Sequence, residues 1–246
     1  MPAEVRPLLD SINELMARLD RALTVQSRFI SDAAHQLKTP VTVVQTQIEL
    51  AMREEDPQKM RASLAGASAG VERLARLVSQ LLSLARNEPE AAVVPRLAPT
   101  DLNALALDVS REWVPEALKK GIDLGFEPAP EPLVIQADAA RLQELLDNLV
   151  DNAVRYTPDN GRVTVRVYAS PAPALEVTDD GPRIPAAERE RVFERFHRLL
   201  GNPEEGSGLG LAIAREIARL HGALIELRDD SDGVGNSFRV VFPPAT

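Results

Sequence analysis

The first 87 residues hold only two glycines, Gly66 and Gly70, and carry apolar residues at alternating spacings of three and four. In the first stretch Leu8, Ile12, Leu15, Leu19 and Ala22 form such a seam, and in the second Leu64, Ala67, Val71, Leu74, Val78, Leu81 and Ala85 do. That period predicts two long helices, each with one apolar stripe. Between them Arg53-Glu54-Glu55-Asp56-Pro57-Gln58 is charged. Pro57 is placed to open the second helix, where its missing N–H costs nothing. A lone hairpin cannot hide both stripes, whereas two hairpins paired as a four-helix bundle can. The expectation is a homodimer through this half; docking onto the other half of the same chain is the alternative.

After residue 87 the character changes. Residues 88–99 hold Pro89, Pro95 and Pro99 with no helical period, and read as a linker. Beyond it, Thr100-Asp101 can cap a helix to about Lys119, closed by Gly121. Short strands are predicted at 122–126 and 133–136, then a helix from about Asp138 to Tyr156. Val163, Val165 and Val167 alternate as a half-buried strand, and Leu175, Val177 and Asp179 carry that pattern into a glycine turn. A helix after Gly208 and strands at 223–227 and 237–242 complete the chain. This order predicts a sheet covered on one face by helices, a two-layer α/β sandwich following the helical hairpin.

Composition narrows the chemistry. Lys and Arg number 28 against 37 Asp and Glu, a net charge of −9, which argues against nucleic acid or anionic lipid as the main partner. With no cysteine, disulfides, thiolate zinc sites and a cysteine nucleophile are excluded. No apolar run approaches the ~20 residues of a membrane span, and Met1-Pro2-Ala3-Glu4-Val5-Arg6 is no signal peptide.

Four constellations carry possible chemistry. His35 lies in Phe29-Ile30-Ser31-Asp32-Ala33-Ala34-His35-Gln36-Leu37-Lys38-Thr39-Pro40. A neutral imidazole nitrogen is a competent nucleophile near neutral pH, and Pro40, which removes the donor for the Gln36 carbonyl and clashes with it, is expected to kink the helix within a turn of His35. In Leu145–Pro158, Asn148 and Asn152 stand four apart on one helical face, while Leu142, Leu145, Leu149 and Ala153 serve the core. Two amide oxygens suit a hard cation such as Mg²⁺ that keeps waters and accepts phosphate oxygens; Arg155 and Tyr156 add a phosphate-pairing cation and an aromatic plate. Asp179-Asp180-Gly181-Pro182-Arg183 ends a strand and offers an acid that can read an exocyclic amine. Gly206-Ser207-Gly208-Leu209-Gly210 precedes a helix and frees backbone N–H groups for phosphate. Neither a Walker loop nor a dinucleotide fingerprint is present.

In this order the motifs resemble those of bacterial sensor histidine kinases over nearly the whole chain. The His35 segment, with Lys38, Thr39 and Pro40, resembles the phosphoacceptor box, and 148–157 the asparagine box. Residues 177–185 resemble the first glycine box, Val192-Phe193-Glu194-Arg195-Phe196 the phenylalanine box, and 206–211 the last glycine box. The resemblance implies a relay helix over 1–25 like the end of a HAMP coiled coil and a dimerisation and phosphotransfer domain over 26–87. After the linker, 100–246 would be an ATP-binding domain of the gyrase, chaperone and histidine-kinase type. It further implies a cytoplasmic fragment of a bacterial inner-membrane protein, a response regulator as partner, and ATP with Mg²⁺.

The implied roles follow the motifs. His35 is the phosphoacceptor, and Thr39 orients water when the regulator is dephosphorylated. Asn152 is the principal Mg²⁺ ligand, assisted by Asn148. Arg155 contacts phosphate, Tyr156 flanks the base, and Asp179, with Gly181, binds the adenine amine. Gly206, Gly208 and Gly210, with Leu209 between, let a lid close, anchored by Phe193 and Phe196. His197 and His221 match no catalytic position and are read as structural.

Two residues depart from the pattern. Gln36 stands where many relatives place an acid, and an amide cannot act as general base. Arg183 stands at the second glycine of the first glycine box; a positive φ there would cost roughly 1 kcal/mol. Two other readings stay open at this stage. One is an ATP-driven dimeric machine of the gyrase and chaperone kind, which would want a glutamate near Asn148 to activate water. The other is a degenerate nucleotide-binding dimerisation module.

Overall fold

Helix α1 spans Val5–Arg53 and α2 Pro57–Arg86, so the charged break between them is a three-residue turn. Asp56 caps α2 by accepting the Gln58 N–H at 2.8 Å. The computed structural model describes residues 5–86, 96–199, 206–229 and 235–244, and the chain divides into two units, 1–79 and 80–246. None of the described helices is long and apolar enough to cross a membrane. Residues 88–95 of the expected linker lie outside the described residues, as do the side chains of Leu8, Ile12 and Ala22 in the first seam.

Within the hairpin the second seam splits. Ala67 and Leu77 are buried, while Leu64, Val71 and Val78 remain 51%, 53% and 41% exposed. The burial comes partly from positions outside the seam. A Cβ on Gly70 would stand 2.5 Å from Val44 Cγ2, and one on Gly66 3.2 Å from Gln47 Cδ, so the two glycines set how closely α1 and α2 approach. The exposed half of the stripe, with Leu15 and Leu19 on α1, is what a single hairpin cannot cover.

The second unit follows the predicted element order with one strand added at its start: β1 (Ala98–Asp101), α3 (Leu102–Lys119), β2 (Asp123–Glu127), β3 (Val134–Ala137), α4 (Ala139–Tyr156), β4 (Arg162–Tyr168), β5 (Ala174–Asp179), α5 (Gly210–Leu220), β6 (Leu224–Asp229) and β7 (Asn236–Val241). Ala98 and Pro99, read from sequence as the end of the linker, instead form half of β1, which pairs antiparallel with β3. The other strands make one sheet in the order β2-β4-β5-β7-β6, parallel only at β2–β4. Helices α3, α4 and α5 pack on one face. Leu142, Leu145, Leu146 and Leu149 of α4 are fully buried there, each worth about 1.5–3 kcal/mol.

The opposite face is polar, and its register was not legible in the sequence. Glu127, Arg166, Glu176, Arg239 and Glu226 stand opposite one another across all five strands, alternating in sign. Arg166 Nε meets Glu127 at 2.6 Å. Tyr168 and Ser237 donate to the buried Glu176 carboxylate at 2.7 and 2.9 Å, and Arg239 lies over the Tyr168 ring at 4.7 Å. Opposite charges on facing strands support pairing without a covering layer.

His221 closes the end of α5. Its Nδ1 donates to the Ile217 carbonyl at 2.8 Å, and its Nε2 accepts the Asp138 N–H at 3.0 Å, which only a neutral ring can do. Burial holds this imidazole below its usual value of 6.5, against the opposing effect of the Ile217 hydrogen bond. The folded state thus takes up its proton at lower pH than the unfolded chain, so the contribution is full above 6.5 and falls as pH drops from there toward the folded value. The urea midpoint is expected to fall between about pH 7.5 and about pH 5.5, and to fall less in His221→Gln.

Candidate functional site

Helix α4 builds one wall. Asp138 caps it by accepting the Arg141 N–H at 3.3 Å. Because its apolar residues recur at helical spacing, Asn148 and Asn152 fall together on the half-buried face away from the core. Asn148 Nδ2 donates to the Glu144 carbonyl at 2.7 Å, and its Oδ1 lies 3.0 Å from where a Cβ on Gly210 would be. A side chain at Gly210 would therefore press on Asn148. Arg155 and Tyr156 converge on the other end of the loop: a Cβ on Gly206 would stand 3.4 Å from both Arg155 Nη1 and Tyr156 Oη. Arg155 is held in place by Asp151, 2.7 and 2.9 Å from its two carboxylate oxygens.

The Asp179 turn forms a second wall. The carboxylate is 3% exposed, and its Oδ1 accepts from the Gly181 N–H at 2.8 Å and from Asn236 Nδ2 at 3.0 Å. Gly181 is required by close approach, since a Cβ would come 2.6 Å from Asp179 Oδ1 and 3.2 Å from the Tyr156 carbonyl. Gly235 approaches closer still: with φ at +91°, a Cβ there would overlap the Asp179 carbonyl at 1.8 Å. The concern over Arg183 is corrected here. Asn160 and Phe196 are the only residues other than glycine with positive φ among those described, so Arg183 bears no such strain. Asn236 secures the turn on both sides of Arg183, accepting the Ile184 N–H at 2.9 Å and donating to the Pro182 carbonyl at 3.1 Å.

The phenylalanine box and the last glycine box meet through backbone. Phe196, at φ 62°, donates its N–H to the Gly208 carbonyl at 2.9 Å. Gly208, at φ +70°, has no room for a Cβ, which would lie 2.8 Å from the Phe196 carbonyl carbon. Phe193 is buried edge-on against Phe238, ring centroids 6.4 Å apart, with the Arg215 guanidinium 5.7 Å from its own centroid. Leu209 is fully buried, and its N–H donates to the Ser207 hydroxyl oxygen at 3.2 Å, ahead of the first turn of α5.

The segment around His35 lies on α1, in the first unit. The helix continues unbroken through Pro40. His35, Lys38 and Thr39 are exposed, Gln36 and Pro40 half-buried. The Thr42 hydroxyl donates to the Lys38 carbonyl at 3.0 Å, within the turn that the proline disturbs. His197 and His221 are both tied to neighbours, His197 to Glu188 at 2.7 Å.

Sequence reading missed Asn236, which touches Asp179 only because β5 and β7 pair in the register that sets these two residues opposite each other. It also missed Trp113, whose indole N–H donates to Asp147 Oδ1 at 3.0 Å and steadies the outer side of α4. Burial raises the Asp147 carboxyl above its usual value; the indole hydrogen bond opposes that shift, and Glu112, Glu144 and Asp151 add to it. A hard cation fits the donor set. Among the described residues the Asn152 amide has no hydrogen-bond partner, Asn148 stands one turn away, and no cluster of three acids or histidines competes with them.

Comparison with known proteins agrees with these two halves. The family described as the histidine kinase-, DNA gyrase B-, and HSP90-like ATPase matches residues 137–246, and the His Kinase A (phospho-acceptor) domain matches 25–90. The chain is 37% identical to the sensor protein kinase PmrB of Pseudomonas aeruginosa, over 99% of this chain and 51% of that protein. It thus spans about half the length of that relative. Among solved structures, the mycobacterial sensor histidine kinase MprB is 32% identical, covering 61% of this chain and 98% of that one with a TM-score of 0.52. The histidine kinase ThkA, solved in complex with the response regulator TrrA, is 25% identical over 98% of this chain and 64% of that one, with a TM-score of 0.71.

Proposed function

Because the chain belongs to the two-component sensor histidine kinases, we propose that its second unit binds ATP and that His35 accepts the γ-phosphoryl group. A nitrogen lone pair of the His35 ring attacks the γ-phosphorus, the bond to the bridging oxygen breaks, ADP leaves with that electron pair, and the ring proton passes to water. An aspartate carboxylate of a response regulator then takes the phosphoryl group, and the imidazole leaves. In a separate hydrolysis, Thr39 orients a water that attacks the phosphorus of the regulator's aspartyl phosphate, breaking its bond to the carboxylate and releasing inorganic phosphate.

The observation that carries this reading is convergence. Asn148 with Gly210, Arg155 and Tyr156 with Gly206, and Phe196 with Gly208 join elements distant in sequence around one glycine loop, and Asp179 lies in the adjoining turn. Asp179 reads the adenine amine, Arg155 pairs with phosphate, and Tyr156 flanks the base. Asn152 and Asn148 hold Mg²⁺, which when bound neutralises charge on the phosphate oxygens. Phosphoryl transfer is mainly positioning and charge neutralisation, so these residues suffice without a protein base at Gln36. The uncovered Leu64, Val71 and Val78 support homodimerisation through the hairpins. The likeness to the solved cytoplasmic segment of histidine kinase QseC supports reading this chain as the cytoplasmic part of a membrane sensor kinase.

The test is incubation with Mg²⁺ and γ-labelled ATP. Label on the protein that is lost in acid and stable in base is the expected result. Steady phosphate release with no labelled protein would instead favour the ATP-driven machine, and no nucleotide binding would favour a degenerate module. The residue at 148, asparagine where that machine needs a glutamate, favours the kinase.

A further inference from the structure

Helix α4 ends in a way that leaves its last carbonyls without their usual donors. In a regular helix the Val154 carbonyl would take the N–H of residue 158, but that residue is Pro158 and has none. The Thr157 N–H is used on the Ala153 carbonyl at 2.9 Å, and the Tyr156 carbonyl lies against Gly181. The remaining acceptors are Val154, Arg155 and Thr157. One side chain meets all three: Lys120 Nζ donates to their carbonyls at 3.1, 2.8 and 2.8 Å. An ammonium has three N–H bonds, and here each has an acceptor.

Lys120 is itself held at both ends of its backbone. Its N–H closes α3 on the Ala117 carbonyl at 3.1 Å, and its carbonyl accepts the Asn160 N–H at 3.0 Å, in the turn that follows α4. The lysine is thus a strut from the end of α3 to the end of α4. Its charge also opposes the partial negative charge at a helix C-terminus. That negative end lies in the same turn as Arg155 and Tyr156, where it would repel an incoming phosphate.

We propose that Lys120 is a positioning residue for the nucleotide site, holding the last turn of α4 so that Arg155 and Tyr156 keep their places against Gly206. The inference rests on the reading of that site as an ATP site. Lys120 touches neither nucleotide nor metal in this scheme; it acts through the backbone of the residues that do. An arginine does not reproduce it, because a planar fork cannot converge on three carbonyls from one point.

The experiment is a double-mutant cycle on the full 246-residue chain, with Mg-ATP affinity measured by calorimetry. Lys120→Met is expected to weaken ATP binding about tenfold in the wild-type background but less than about threefold when combined with Arg155→Ala, because residues acting as a unit are not additive. A merely structural role would give the same factor in both backgrounds, and that result overturns the proposal. Should Lys120→Met not fold, Lys120→Arg takes its place, with an expected loss of about threefold that again shrinks beside Arg155→Ala; wild-type affinity in Lys120→Arg overturns it equally. A wild-type chain that binds no ATP refutes the underlying site instead, and the two failures are therefore distinct.

Discussion

Replacing His35 with glutamine is expected to abolish the acid-labile label while leaving ATP affinity unchanged. Glutamine keeps the side chain polar and of similar length, but its amide nitrogen has no lone pair available to attack phosphorus. His35 is exposed on a helix that continues through it, so the exchange removes a nucleophile without opening a cavity in the core. The nucleotide residues belong to the other unit, so calorimetry should return the wild-type affinity for Mg-ATP. Label persisting at wild-type level in His35→Gln would show that another residue is the acceptor. Because Gln36 is no base, the ring proton must leave to water, and the exposure of His35 permits that.

The second large effect is expected at Asp179. In Asp179→Asn the side-chain atom that now accepts from both Gly181 and Asn236 faces two donors, and an amide must turn either its oxygen or its NH₂ toward them. If the oxygen faces the donors, the NH₂ meets the adenine amine, donor against donor; if the NH₂ does, both protein hydrogen bonds are lost. Either way a buried polar group goes unpaired, at a cost of about 1–3 kcal/mol, which corresponds to an ATP affinity weaker by about 5- to 150-fold. Preference for ATP over GTP should shrink with it, since the acid is what distinguishes an exocyclic amine from a carbonyl. Calorimetric titration with both nucleotides checks this; a variant that keeps its affinity and its preference would remove Asp179 from the adenine site. Asn236→Ala should weaken ATP binding in the same direction by a smaller factor, because it leaves the carboxylate in place and keeps the Gly181 N–H on its Oδ1.

Much of the site was legible in local sequence because its chemistry is written in short segments. The spacing of Asn148 and Asn152, the acid before Gly181 and the glycines ahead of α5 each lie within one turn or one helix start, where local rules govern. The break at Pro57, the cap at Asp101, the start of α4 near Asp138, and the strand of Val163, Val165 and Val167 were legible for the same reason. Arg183 shows the limit of such rules: a glycine in a motif can be required by space or by dihedral, and only coordinates tell which. Here the positive dihedral falls on Phe196 and Gly208 instead.

The amino-acid sequence by itself determined the periodic helices, the order of the motifs and the residue types able to do the chemistry, because each depends on neighbours a few positions away. Tertiary structure alone decided which distant residues meet: Asn236 on Asp179 through the β5–β7 register, Lys120 on the end of α4, and the charge row of Glu127, Arg166, Glu176, Arg239 and Glu226. Strand pairing and helix docking bring these residues together across as many as 57 positions of chain for Asp179 and Asn236, and no local period encodes such a meeting.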